Sequence, residues 1–259
     1  MSLTIEWSRR VDHWRKEMPR HFYRPLGPVS WQGFVTQERL SPQQASLRAF
    51  AAMPPSARWG AKWEYGWFKG RVTLPAEAAG RRIVLHVDVG GESAIYVNGQ
   101  PAGARDREHT HVTLAANAGV GAQYDVLIEA YAGHGPRVST VGPVPPGRET
   151  VPEPPPQQAI VGDSTFGIWN EPMYQLWVDV ETLHAVRSHL DQNSLRVSEI
   201  DAGLRQMTLS VDLEADFPEM MSGQRLEVNS AQLGPQQIQI MLTRSSVMAV
   251  MLKSAAISR

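Results

Sequence analysis

The sequence predicts a mainly β protein in which an antiparallel β-sandwich is preceded by a helical arm and followed by a helical hairpin. Apolar residues alternate with polar ones in several short segments, which is typical of strands with one buried face. Glycine, proline and asparagine separate these segments, and the intervals between them have no helical period. Beyond residue 160 the apolar spacing changes to three and four residues, as in amphipathic helices.

Composition limits the possible functions of the 259 residues. The formal net charge is -1, from 25 basic and 26 acidic residues, and no basic run could neutralise phosphates, so nucleic acid is not an expected partner. The sequence has no cysteine, which excludes disulfides, thiolate catalysis and zinc-thiolate sites. The first residues lack the apolar stretch of a signal peptide, and residues 246–252 are too short to cross a bilayer. We therefore expect a cytoplasmic protein without a membrane segment.

Residues 1–58 are predicted to contain an N-terminal helix and a connecting arm. Trp7, Val11 and Trp14 recur at helical spacing and would share one face. The helix should end before Pro19, because proline cannot continue it.

The sandwich is predicted over residues 59–135. Its segments alternate in polarity, and one of them, GGESAIYVNGQPAG, contains the pair Asn98-Gly99. This pair favours the positive backbone angles of a two-residue hairpin, so the segment should form two neighbouring strands at a sheet edge.

Two further regions follow the sandwich. Residues 136–160 are rich in proline and predict a stiff linker. Residues 161–221 predict a helical hairpin, and residues 222–259 form an atypical tail rich in serine and glutamine with poor periodicity. The apolar stripe of a two-helix hairpin needs a cover, and we expect the sandwich or a missing partner to supply it.

Carboxylates near the predicted hairpins are candidates for general acid and base chemistry. A glycosidase requires two carboxyl groups held about 5 to 9.5 Å apart, and Asp88, Glu92 and Glu129 are the available ones. The alternative is that each is a solvated carboxylate of a loop or sheet face. Ser93 lies in a Gly-x-Ser sequence that lacks the second glycine of a nucleophile elbow, so we interpret it as a turn serine.

Histidines supply a second set of candidates. His109 and His111 would point to one face of a strand as a metal pair could, but no third ligand has a diagnostic spacing, and a half-exposed strand pair is the alternative. His134 lies between two glycines beside Arg137, where a ligand or a neighbouring domain could approach; the alternative is a plain turn.

Five aromatic residues within residues 59–68 form a third candidate. Trp63, Tyr65 or Trp67 could stack on sugar rings if they lie at the surface, whereas buried in a sandwich they would be core or interdomain packing.

Four segments together are similar to the N-terminal region of glycoside hydrolase family 38 α-mannosidases of the cytosolic type, in order and in spacing. The resemblance extends over about residues 1–221 and is more specific for the four segments together than for any one of them. The segments are WGAKWEYGWFKGRVTLP (59–75), GRRIVLHVDVGGESAIYVNGQPAG (80–103), YDVLIEAYAGHGPR (124–137) and GDSTFGIWNEPMYQLWVDVETL (162–183).

The resemblance implies a jelly-roll or galactose-binding-like sandwich beside a catalytic domain that hydrolyses α-mannosidic bonds. That family uses two carboxylates and one divalent metal, zinc or cobalt, in a domain that begins with a Gly-His-x-His-x-Asp motif. The motif does not occur in this sequence, so no catalytic or metal-binding residue is carried over and we expect no cofactor in this chain. A truncated or frame-shifted gene would account for the atypical tail.

Three functions are open from the sequence, and for the third, a hydrolase that uses Asp88 or Glu129 alone, we expect no activity. The first is the non-catalytic N-terminal part of an α-mannosidase, inactive alone, whose partner is the catalytic domain and whose substrates are α-mannosides. The second is a stand-alone carbohydrate-binding module. In either case the candidate substrate-binding residues are Glu92, His134, Arg137, Trp63 and Trp67.

Overall fold

The computed structural model describes residues 4–133, residues 155–210 and Leu213. These residues form two compact units. One unit extends from Pro25 to Trp169, and the other joins the residues before Pro25 to the residues from Asn170 onward. The second unit is therefore discontinuous in sequence.

The first unit is an antiparallel sandwich. A four-stranded sheet has the order β1 (Tyr23–Pro28), β12 (Thr165–Trp169), β6 (Ile83–His86) and β9 (His111–Ala115). A six-stranded sheet has the order β3 (Ala51–Ala52), β2 (Gln32–Thr36), β5 (Tyr65–Thr73), β10 (Gln123–Tyr131), β7 (Glu92–Val97) and β8 (Gln100–Arg105). A small ladder pairs β4 (Arg58–Trp59) with β11 (Ala159–Ile160). A short helix, α2 (Pro42–Ser46), interrupts the chain between β2 and β3.

The core of the sandwich lies between the two sheets. Phe68 of β5 faces Ile128 of β10 across the ladder, and both are fully buried. The four-stranded sheet contributes residues of β6, β9 and β12 from the opposite side. These buried residues are Ile83, Leu85, Val112, Leu114, Phe166 and Ile168. Burial of such side chains stabilises the fold by about 1.5 to 3 kcal/mol each. The alternating pattern of the sequence thus predicted this core correctly.

The hairpin predicted at Asn98-Gly99 joins β7 to β8, and β8 is the edge strand of the six-stranded sheet. Asn98 has a φ of 50° and Gly99 a φ of 77°, as a two-residue type I′ turn requires. The turn is also bonded to β10: the Asn98 amide donates to the Asp125 carbonyl at 2.8 Å, and the Asp125 amide donates to Asn98 Oδ1 at 2.9 Å. The hairpin therefore has an architectural role.

The second unit is a bundle of three helices, α1 (Ile5–Glu17), α3 (Glu171–Ser188) and α4 (Leu195–Ser210). Each helix starts at a polar cap. The Thr4 hydroxyl accepts from the Trp7 amide, and Asn170 Oδ1 accepts from the Met173 amide at 3.2 Å. Ser194 Oγ accepts from the Val197 amide at 3.3 Å at the start of α4. The predicted N-terminal helix and helical hairpin are both present.

The apolar stripe of the helical hairpin is covered by α1, so the expectation of a cover from the sandwich or a missing partner was wrong. Side chains of all three helices form one buried cluster, and the short turn after α1 adds Met18. The cluster contains Val11, Trp14, Met18, Met173, Leu176, Val180, Ile200, Leu204 and Met207. The N-terminal segment and the hairpin are far apart in sequence, and each leaves one apolar face that the other buries.

Charged groups reinforce this bundle. Arg15 Nε and Nη2 donate to the two carboxylate oxygens of Glu181 at 2.6 and 2.7 Å, and this pair holds the pKa of Glu181 below its usual range. Arg187 of α3 donates to Asp201 of α4, which is almost completely buried. Removal of one partner would leave the other charge buried without compensation.

The sheets extend beyond residues 59–135. β1, β2 and β3 lie in the predicted connecting arm, β12 lies in the predicted hairpin region, and β11 lies at the end of the predicted linker. Most of the linker and all of residues 222–259 lie outside the described residues. None of the described helices is long and apolar enough to cross a membrane.

The bundle can be tested with two leucines of α4. Leu204 is 1% exposed and Leu209 is 59% exposed. Leu204→Ala should lower the free energy of unfolding of the helical unit by about 3 kcal/mol, because it leaves a cavity between the helices. Leu209→Ala should change it by less than about 0.5 kcal/mol. Urea unfolding followed by far-UV circular dichroism measures both, and equal effects would contradict the assignment of the covered face.

Candidate functional site

Three of the five predicted substrate-binding residues lie within the described part of the chain. Trp67 is in β5, Trp63 precedes that strand by two residues, and Glu92 begins β7. His134 and Arg137 lie outside the described residues.

Strand β10 brings the beginnings of β5 and β7 together. Its last residue, Tyr131, is paired with Tyr65 on one side and with Glu92 on the other, and Tyr65 is paired with Thr36 of β2. We call these four side chains the tyrosine row. Paired residues point to the same face, and residues two apart in a strand share it, so the row lies on the outer face of the six-stranded sheet. The two tyrosine rings lie 5.1 Å apart between centroids at an angle of 32°.

Trp63 lies one step beyond the tyrosine row. Its amide donates to the Gly133 carbonyl at 2.9 Å, which continues the ladder between β5 and β10. Trp63 has a φ of 66°, a conformation that is unusual for a bulky residue. The loop is held by Glu64, whose Oε2 accepts from the Ala61 amide at 2.7 Å and whose carbonyl accepts from the Ala132 amide at 3.0 Å. The loop thus fixes a strained tryptophan in place.

Trp63 is also the exposed member of the eight tryptophans, all of which are described. Its exposed fraction is 52%, whereas the others are buried or half-buried. An exposed, strained aromatic residue next to a pair of tyrosines is the clearest candidate for ligand contact in the sandwich.

Trp67 cannot stack on a sugar ring, because its side chain is fully buried. It shares the outer face with the tyrosine row and lies between Phe34 and Glu129 in the ladder. Its indole nitrogen has no hydrogen-bond partner among the described residues. The prediction of Trp67 as a substrate-binding residue was wrong, and the alternative of core packing was correct.

The three candidate carboxylates do not share one environment. Glu92 is exposed at the end of the tyrosine row. Glu129 is half-buried on the same face, where burial raises its pKa while Arg39 opposes that rise. Asp88 follows β6 in the other sheet, with its Oδ1 at 3.7 Å from Arg105 Nη2. Asp88 therefore lies apart from the other two carboxylates, which share the outer face of the six-stranded sheet.

Ser93 is the second residue of β7, so its interpretation as a turn serine was wrong. It is 7% exposed, and its hydroxyl has no partner in the described part of the protein. A nucleophilic serine needs a base within hydrogen-bond reach, and Ser93 has no such contact among these residues.

The predicted pairing of His109 with His111 on one strand was also wrong. His109 lies in the turn before β9, where its ring nitrogen is 3.0 Å from Asp106. His111 is instead paired with His86 of β6, and the two rings are 6.0 Å apart. Burial lowers the pKa of both histidines. Within residues 4–133 and 155–210, no group of three or more potential ligands could hold a metal ion.

A groove of about 320 Å³ lies at the same end of the sandwich as Glu64. Apolar side chains form most of its wall, and Arg58 and Glu64 are its charged members. Its lining consists of Phe34, Val35, Met53, Arg58, Trp59, Gly60, Ala61, Glu64, Pro156 and Gln157. Glu64 Oε2 already accepts a backbone hydrogen bond, so the groove offers few polar groups to orient a ligand.

The fold and the comparisons agree on a jelly-roll domain. Residues 27–151 match the family model described as alpha-mannosidase, jelly roll domain, over slightly less than half of the chain. The sandwich is therefore similar to the jelly roll domain that this family model describes.

The sequence matches no curated protein. Among solved structures, the apo form of a β-glucuronidase from Ruminococcus gnavus is 15% identical, with a TM-score of 0.40, and the alignment covers 57% of this chain and 29% of that one. The same enzyme with uronic deoxynojirimycin is 14% identical, with a TM-score of 0.39 and coverages of 58% and 29%. The chain spans less than a third of the length of these structures.

The burial of Glu129 predicts a pH-dependent effect. Its raised pKa means that the folded state favours the protonated carboxyl, so its favourable contribution to stability is present at low pH and is lost as pH rises towards the folded-state pKa. Glu129→Gln should raise the melting temperature at pH 7, and the gain should disappear below about pH 4. Glu92→Gln, on the same face but exposed, is the matched control and should change little. A gain that is independent of pH would contradict this explanation.

Proposed function

We propose that this chain is the non-catalytic, N-terminal module of a cytosolic-type α-mannosidase. The observation that carries the proposal is the match of residues 27–151 to the alpha-mannosidase jelly roll domain. The resemblance in sequence also includes residues 162–183, which follow this match and contain β12 and most of α3. The hydrolysis of α-mannosidic bonds would take place in a catalytic domain outside these 259 residues.

The described residues favour a non-catalytic role for this chain. Asp88 lies apart from Glu92 and Glu129, which share a face but differ in burial, and the catalytic motif of the resembled family does not occur in the sequence. The divalent metal of that family, zinc or cobalt, would be held by the catalytic domain. The chain would act in the cytoplasm, with α-mannosides as substrates of the complete enzyme.

The helix bundle limits which surface of this chain a catalytic domain could cover. The apolar stripe of the hairpin is used internally by α1, so it is not the surface that a catalytic domain would cover. We infer that docking uses a preformed surface and does not require the module to refold.

Complementation in trans tests the proposal. An α-mannosidase whose own jelly roll has been deleted is mixed with this chain, and activity on an aryl α-mannoside is measured together with co-elution in size-exclusion chromatography. We expect the two proteins to co-elute and the activity to rise, while an unrelated jelly-roll protein has no effect. Failure to co-elute at about 100 µM, well above the dissociation constant of a specific complex, would overturn the proposal.

The chain alone should not hydrolyse an aryl α-mannoside, with or without added zinc or cobalt, because the catalytic motif of the resembled family does not occur in its sequence. The assay compares the purified chain with buffer and with an intact α-mannosidase. Turnover that follows the protein through purification and depends on metal would show that this chain carries its own active site.

A further inference from the structure

We propose that the tyrosine row and Trp63 form a binding site for a short, neutral hexose oligosaccharide. The site consists of Trp63, Tyr65, Tyr131 and Glu92, with Thr36 at its far end. It lies on the outer face of the sandwich. The choice of mannose as the hexose rests on the proposed function, whereas the site itself rests on the geometry.

The dimensions of the site suit a chain of sugars rather than a single one. The row crosses four strands, and neighbouring strands are about 4.8 Å apart, so it is about 14 Å long. Trp63 is two residues before Tyr65, at the third position of a turn that the Glu64 amide closes on the Ala61 carbonyl at 3.1 Å. Among the described residues, Gly133, opposite Trp63, has no heavy atom within 4 Å of where a side chain would begin.

The chemistry of the site matches the two faces of a pyranose. A pyranose ring has an apolar face of C–H groups and a rim of hydroxyls. The half-buried rings of Tyr65 and Tyr131 and the exposed ring of Trp63 can receive the apolar face. The Glu92 carboxylate and the Thr36 hydroxyl, at opposite ends of the row, can bond to the hydroxyls.

The charge of the site favours a neutral ligand. Glu92 is the one charged side chain among these residues, and Glu129, on which Arg39 acts, lies two residues from Tyr131 on the same face, so an anionic sugar or an acidic peptide would be repelled by Glu92. A catalytic domain that docks here would bury Trp63 as well, and the experiment below separates this occupant from a sugar.

The strained backbone of Trp63 supports a binding role. A positive φ in a bulky residue costs about 1 to 3 kcal/mol and persists where the surrounding contacts impose it. Here the Glu64 side chain and two backbone hydrogen bonds to residues 132 and 133 impose it. The fold therefore keeps the Trp63 side chain exposed although its backbone conformation lowers stability. A contact between this side chain and a ligand would explain why the conformation is kept.

Calorimetric titration of the full chain with linear α-mannotriose tests the inference. We expect a millimolar dissociation constant for the unaltered protein. Trp63→Ala should weaken binding about tenfold through loss of ring stacking, and Glu92→Gln should weaken it a few-fold. The matched control is Tyr96→Ala, which removes a half-exposed tyrosine from the same face of β7, outside the row, and should change binding less than twofold.

A second measurement does not depend on how well the variants fold. In the protein labelled with ¹⁵N-tryptophan, Trp63→Phe identifies the indole signal of Trp63. We expect this signal to shift on addition of mannotriose while the signal of buried Trp67 does not. Absence of binding up to about 20 mM, or equal loss of affinity in the Tyr96→Ala control, would overturn the inference.

The outcomes distinguish this inference from the proposed function. If mannotriose does not bind but the catalytic domain co-elutes and shifts the Trp63 signal, the surface is a docking site and only the inference fails. If mannotriose binds and the catalytic domain does not co-elute, the sugar site stands and the proposed function fails.

Discussion

The pairing of β10 with both of its neighbours is the constraint on which the sandwich and its candidate site depend. β10 pairs with β5 along nine residues and with β7 along six, so one strand sets the register of three. The same pairing buries Ile128 against Phe68 on the inner face and places Tyr131 between Tyr65 and Glu92 on the outer face. A slip of one residue would exchange these faces, so the core and the site are fixed by a single register.

The turn at Asn98-Gly99 reinforces that register from the edge. The Asn98 side chain and backbone both bond to Asp125 of β10, which ties the edge hairpin to the central strand. The turn therefore acts in two ways: its backbone angles suit the hairpin, and its side chain binds the sheet. A sequence can reveal the first through local turn chemistry, but the second depends on a residue 27 positions away.

The difference between local and distant signals explains what could be predicted from the sequence. The alternating strands, the helix that ends before Pro19 and the hairpin turn follow from short patterns, and all are present. The cover of the helical hairpin could not be predicted, because Trp14 joins Met173 and Leu204 in one buried cluster only in the folded chain. Trp67 was misassigned for a similar reason, since alternation gives its face but not its burial.

The histidines also show that a local sequence pattern can reveal a turn but not a contact between distant strands. Asp106 accepts from the backbone amides of residues 108 and 109 and keeps His109 in a turn, so it never reaches the strand of His111. The Asp-x-x-His spacing is a signal for such a turn that was available in the sequence. The contact of His111 with His86 instead needed the pairing of β9 with β6, which no local pattern contains.

The helical bundle is assembled from both sides of the sandwich, and this has a consequence for synthesis. α1 leaves the ribosome first, but Met173 of α3 follows it by roughly 150 residues, which takes about 10 to 30 s at typical translation rates. During that interval Val11, Trp14 and Met18 lack the side chains of α3 and α4 that bury them in the folded protein, and the four-stranded sheet still lacks β12. The nascent chain therefore exposes the apolar face of α1 to solvent. Binding by a chaperone such as a holdase would protect this face from aggregation until α3 emerges.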